Sequence, residues 1–150
     1  MFNGKFLNSK ERKEIFRLVE EQFGCSFTSD LVFCLNNKEK VFVVNRDIDG
    51  LPLDNLRVDK LGMYVGTIQA DGFRLSIEGS ELIGPQATKN ILDLSFEQMR
   101  EWLKGKDIEG PEGNSFILLR HNSYWLGCGK LKEGRILNYI PKNRRILADD

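Results

Sequence analysis

The chain has 150 residues, 41% of them hydrophobic and 29% charged, with 22 basic residues balanced by 22 acidic ones. That composition supports a packed core and argues against disorder, and the zero net charge gives no global pull toward nucleic acid. The longest apolar runs, 31–35 and 41–44, are too short to cross a bilayer, and a polar stretch directly after Met1 to Lys5 argues against a secretory leader, so a cytoplasmic protein is expected.

Charge is unevenly placed. Residues 120–145 hold seven basic side chains against one acid, whereas 78–112 hold eight acids against four bases, so faces of opposite sign are expected. A basic cluster marks either an RNA contact or simply a solvated face. Cys25, Cys34 and Cys128 are odd in number, in no C-x-x-C spacing, and accompanied by one histidine. No metal site and no cofactor are expected from that set. Cys34 and Cys128 sit in apolar runs and read as small buried hydrophobes.

The first predicted element is a helix over 9–23. Asn8 and Glu11 form a capping box, Ile15, Leu18, Val19 and Phe23 make an apolar face, and Gly24 suits a left-handed end. Runs 31–35 and 41–44 read as a hairpin, and 47–52 (Asp-Ile-Asp-Gly-Leu-Pro) breaks regular structure. Residues 1–60 therefore read as a small α+β unit and 61–150 as a second domain. In the second, 63–69 and 73–77 read as strands about an Ala70-Asp71-Gly72 turn, 78–84 as one or two helical turns, and 91–94 as a short strand. Ser95 and Gln98 form another capping box, with Met99, Trp102 and Leu103 facing the core and Gly105 ending the helix. Strands follow over 116–119, 123–126 and 136–140, with turns at His121-Asn122 and Lys132-Glu133-Gly134. This order fits an α+β fold with a small mixed barrel better than a parallel sheet.

Two glycine-punctuated segments carry a resemblance. One is 61–66 (Leu-Gly-Met-Tyr-Val-Gly) followed by Gly72-Phe73-Arg74-Leu75-Ser76. The other runs Leu126-Gly127-Cys128-Gly129-Lys130 and then Asn138-Tyr139-Ile140-Pro141-Lys142, with Trp102-Leu103-Lys104-Gly105 between them. These resemble the C-terminal PUA-like RNA-binding domain of Sun-family RNA cytosine-5 methyltransferases, in the standalone archaeal type associated with ribosome biogenesis. The resemblance implies a PUA-like pseudo-barrel that docks on structured RNA, rRNA or tRNA, with an RNA methyltransferase or pre-ribosomal particle as a further partner. Where that family often reads F-x-P-S-H, Leu75 and Ile77 replace the proline and histidine, leaving Arg74 and Ser76 as sugar–phosphate contacts. Gly127 and Gly129 permit a bulge or a close backbone approach, with a simple barrel bend as the alternative.

The expected RNA-binding set is Arg74, Ser76, Lys130, Asn138, Tyr139, Lys142, Arg144 and Arg145. Lys130, beside exposed backbone N–H groups, suits a phosphate, as do Lys142, Arg144 and Arg145. Asn138 and Tyr139 offer hydrogen bonding or stacking on an unpaired base, although alternation along 136–140 equally allows Tyr139 to face the core. No catalytic residues are expected. A donor-binding methyltransferase domain would not fit, the cysteines lack its motif contexts, and the G-x-G elements follow no βαβ unit. Two other readings stand beside the noncatalytic RNA binder: a protein-interaction adaptor, and a small-molecule hydrolase that would need His121 in a polar pocket.

Overall fold

Capping at both ends defines the first helix, α1 (Ser9–Phe23). Asn8 Oδ1 accepts from the Glu11 amide while Glu11 returns a carboxylate to the Asn8 amide, and Gly24 closes the helix in the left-handed region at φ 65°. Ile15, Val19 and Phe23 make its buried stripe. The computed structural model describes residues 5–26, 32–44 and 62–146. The expected break at 47–52, with Leu31 and Leu61, lies outside the described residues.

Five strands form the first sheet in the order β1 (Lys5–Phe6), β2 (Val32–Leu35), β3 (Lys40–Val44), β4 (Met63–Gln69) and β5 (Gly72–Leu75), each antiparallel to the next. The expected hairpin is β2–β3, with Val32 opposite Val44 and Leu35 opposite Val41. Asn36 shapes its turn, its side-chain oxygen accepting from the amides of Lys38 and Lys40. Because β3 pairs with β4, this sheet draws strands from both sides of residue 60.

Helix α2 (Ile77–Ile83) follows, then a 3-10 turn over Gly84–Gln86. The expected strand over 73–77 stops at Leu75. The Ser76 hydroxyl takes the Gly79 amide and gives its own proton to the Tyr64 carbonyl, so Ser76 caps a helix rather than extending a strand.

The second sheet has the order β6 (Ile91–Asp93), β8 (Phe116–His121), β9 (Tyr124–Lys132), β10 (Arg135–Leu137) and β7 (Ile108–Glu109). Only the β6–β8 pairing is parallel among these described strands. Helix α3 (Phe96–Leu103) lies between β6 and β7, with the Ser95–Gln98 capping box formed as expected. A β-bulge falls where β8 slips against β9: Leu119 faces Gly127 while Arg120 faces Trp125, leaving Leu126 extra. Gly127 adopts φ 115°, which only glycine takes readily, so β9 runs on to Lys132 instead of ending at 126. At Gly129 an added Cβ would run into Ile136 and come within 3.0 Å of the Trp102 ring, so the bare backbone is what lets α3 pack there.

Strand β8 explains the layering. Phe116 and Leu118 point into a core shared with α1, the first sheet and α2, while Ile117 and Leu119 point into a second core with Trp102, Leu126, Leu131, Ile136 and Ile140. A strand buried on both faces must be apolar throughout, which is why Phe-Ile-Leu-Leu does not alternate. Trp102 is fully buried and gives its indole N–H to the Leu126 carbonyl at 3.0 Å. All three cysteines are buried, and burial pushes the Cys128 thiol up to about 12. Helices and antiparallel-rich sheets together make the fold α+β, as expected.

Residues from far along the chain hold the end of α1. The carbonyls of Gln22, Phe23 and Gly24 have no partners within the helix. They are met by Asn90 Nδ2, the amides of Thr88 and Lys89, and the Thr88 hydroxyl. Gln22 also pairs through its side-chain amide with both the N–H and the C=O of Phe73.

Candidate nucleic-acid interface

The chain leaves β10 at Leu137 and turns sharply, because Asn138 bonds inward. Its Nδ2 donates to the carbonyls of Trp102 and Lys106 at 2.8 and 2.9 Å, its Oδ1 accepts from the Ile140 amide at 2.8 Å, and its backbone N–H reaches Asp107 Oδ1. Asn138 thereby closes the C-terminal end of α3. The expected strand over 136–140 is cut to Arg135–Leu137 for the same reason. Ile136 and Ile140 point into the core, and Tyr139 is left 37% exposed, which decides the alternation in favour of an outward ring.

The Arg74 guanidinium, projecting from β5, lies 4.2 Å over the Tyr139 ring. Its Nε is buried with no hydrogen-bond partner among the described residues. After Pro141 a 3-10 turn over Lys142–Arg144 carries Arg144 to Glu78 in the first turn of α2, at 2.6 Å. Arg74, Ser76, Glu78, Tyr139, Pro141 and Arg144 line one narrow cleft of about 60 Å³. Four of the eight expected contacts therefore meet at one place, drawn from β5, the α2 cap and the segment after β10.

The others lie elsewhere or are turned to other work. Lys142 is exposed on the turn beside Arg144. Arg145 is half-buried, gives its Nε–H to the Ile140 carbonyl, and packs over Gly105. Ser76 lines the cleft but its hydroxyl is taken by the Gly79 amide and the Tyr64 carbonyl. Lys130 stands apart in a polar recess with Gln22, Asn90 and Ser115. Its ammonium pairs with Asp71 at 2.8 Å and sits over the Phe116 ring, leaving the side chain 15% exposed. The hydrogen bond from Lys130 holds the Asp71 carboxyl below the usual carboxylate range. Exposed backbone amides were expected beside Lys130, but β9 is interior here, with Phe116 on one side and Leu137 on the other.

The expected separation of charge gives way to interleaving. Arg120 grips Asp93 through two bonds, at 2.6 and 3.0 Å, and Arg144 grips Glu78. Basic residues of 120–145 thus neutralise acids of 78–112, and the Asp93 carboxyl is held low by the hydrogen bond from Arg120. These acid partners were missed by sequence reasoning, since no local pattern links residues as far apart as 78 and 144.

His121 is engaged within the fold. At the end of β8 its Nδ1–H donates to the Leu94 carbonyl at 2.8 Å, and its ring lies near Phe96. Among the described residues no group of three or more His, Cys, Asp or Glu is placed to hold a metal ion, and no helix is long and apolar enough to cross a membrane.

Comparison with known proteins bears directly on this surface. Residues 89–146, which include Tyr139, Lys142 and Arg144, match the family model described as "Methyltransferase RsmF PUA domain". The chain is also similar to Ribosomal RNA small subunit methyltransferase F of Aeromonas salmonicida, 28% identical over 145 residues, and to its counterparts in Aeromonas hydrophila, 26% over 145, and Vibrio atlanticus, 26% over 147. Each match covers 93% of this chain and 30% of the relative, so the chain spans less than a third of the length of the curated relatives it matches. The resemblance to a methyltransferase PUA domain is shown by this match, which takes in the motif over 126–142 and leaves the motif over 61–76 outside it.

Proposed function

We propose, from the match of residues 89–146 to a methyltransferase PUA domain, that the protein is a noncatalytic RNA-binding module acting in the cytoplasm in ribosomal RNA modification or ribosome biogenesis. The observation that carries this reading is the family match over 89–146, which takes in the exposed residues Tyr139, Lys142 and Arg144. The relatives are small-subunit ribosomal RNA methyltransferases by name, so structured ribosomal RNA is the proposed ligand, with tRNA as the second class. Catalysis would belong to a methyltransferase unit outside these residues, and this module would supply recognition. The two-part organisation, an α+β unit before residue 61 and a PUA-like pseudo-barrel after it, belongs to the same proposal.

Contacts would come from the Arg74–Tyr139 pair together with Lys142, Arg144 and Arg145. Phosphate contacts fix position and supply most of the affinity, while an outward ring suits an unpaired base. Asn138 and Ser76 would act mainly by holding this surface in shape, since each is occupied within the protein, while Lys130 is held by Asp71 away from it. The test is binding to small-subunit ribosomal RNA fragments over a range of salt, with crosslinking in cells to find the site. Affinity that falls steeply with salt, and crosslinks enriched at defined ribosomal positions, are expected. Salt-independent binding, or recovery no better than a mock control, would transfer the function to a protein-interaction adaptor.

A further inference from the structure

We infer that Glu78 is a built-in stand-in for an RNA phosphate: it occupies Arg144 in the free protein and is displaced when the cleft takes the backbone of an unpaired nucleotide. This inference rests on the RNA-binding reading above and concerns how the same surface is occupied and regulated.

The cleft holds two guanidiniums and one carboxylate. Arg144 is paired with Glu78 at 2.6 Å, yet 43% of the Arg144 side chain and 32% of the Glu78 side chain remain exposed, so the pair can open without disturbing the core. Arg74 has no acid partner among the described residues and keeps a buried, unbonded Nε behind the Tyr139 ring. The cleft therefore carries one positive charge in excess even with Glu78 in place. A cavity of about 60 Å³ holds only about two waters' worth of space. That admits the oxygens of a phosphate and excludes a nucleobase. The base must stay outside, where the exposed part of Tyr139 offers a platform already backed by a guanidinium.

A phosphodiester presents the same two-oxygen fork to Arg144 as a carboxylate does. Exchange of one for the other keeps the charge on Arg144 satisfied, but sends Glu78 back to water beside a like charge. Glu78 should thus lower affinity twice, by competing for Arg144 and by repelling the incoming phosphate. It would also select against weak anions, which cannot displace it. A duplex, with its bases stacked inside, cannot use the Tyr139 platform, so the favoured ligand is a single-stranded or looped segment.

The experiment compares Glu78→Gln with Glu81→Gln in the full chain, using a labelled oligouridylate and a duplex of equal length. Both changes remove one negative charge from α2, but Glu81 is exposed and carries no ion pair among the described residues. Thermal melting first checks that the variants remain folded. Glu78→Gln should bind the single strand about two- to fivefold tighter than wild type, the scale of releasing a half-exposed ion pair. Glu81→Gln should stay close to wild type, and the gain should vanish in an Arg144→Ala background. Wild-type binding with no gain from Glu78→Gln, an equal gain from Glu81→Gln, or a gain that survives Arg144→Ala would overturn the inference and leave the RNA reading standing. Absence of salt-dependent binding to the oligouridylate, the duplex and ribosomal RNA fragments alike would overturn both.

Discussion

Replacing Asn138 with alanine separates two roles that its sequence position leaves equal. The amide makes three side-chain bonds, to the Trp102 carbonyl at 2.8 Å, to the Lys106 carbonyl at 2.9 Å, and from the Ile140 amide at 2.8 Å. The bonds with Trp102 and Ile140 are part-buried and the one to Lys106 faces water, so the Lys106 bond counts for less. At about 1 kcal/mol for each sheltered bond and a fraction of that for the exposed one, Asn138→Ala should cost about 2–3 kcal/mol. The loss would appear as a lower urea midpoint with an unchanged slope. Asn138→Asp should be at least as damaging, because it keeps the acceptor for Ile140 while placing charge against two carbonyls. RNA binding by the folded fraction should weaken only through a less ordered Tyr139. If Asn138→Ala instead left stability within about 0.5 kcal/mol of wild type and abolished RNA binding, the amide would be reading RNA and the structural account would be wrong.

Three further outcomes are expected. Replacing Arg144 and Arg145 together with alanine should weaken RNA binding across sequences and flatten its salt dependence; equal affinity in the double mutant would remove the basic turn from the interface. Trp102→Ala should cost about 4 kcal/mol, since it empties a fully buried site and strands the Leu126 carbonyl, and an unchanged melting curve would contradict that packing. The Cys128 thiol, pushed up to about 12 from an ordinary value of 9.0, should resist alkylation in the folded protein. Because only the unfolded state ionises it readily, the stability it contributes is complete below about pH 9 and declines as pH rises from about 9 toward about 12. A Cys128→Ala variant should lack that part of the alkaline slope.

Local chemistry was legible in the sequence where it is self-contained. Both capping boxes and the Gly24 terminus depend on residues within four positions, and they form as expected. The 3.6-residue apolar spacing of α1 and the burial of Trp102 followed from the same kind of signal. What could not be read depends on distant partners. Strands β1 and β7 have two residues each and exist only because Leu35–Cys34 and Ile136–Arg135 receive them. The cut at Leu75 turns on a hydroxyl that finds the Tyr64 carbonyl, and the cut at Leu137 on an amide that finds the end of α3. At the candidate site, the basic residues were visible one by one. That Arg74 and Tyr139 would stack, while Lys130 went to Asp71 on another side, required the tertiary fold.

The way α1 ends has a practical consequence for anyone cutting or grafting this chain. A segment beginning at residue 89, where the family match begins, would lose Thr88 and the helix whose carbonyls Lys89 and Asn90 receive. Phe116, Leu118 and Cys128 would be stripped of the α1 and first-sheet side chains that now cover them. Transplanted alone, the matched stretch would expose one side of its central strand to water. The smallest piece that can be moved between proteins with its core intact must carry the leading helix and first sheet along with the matched residues.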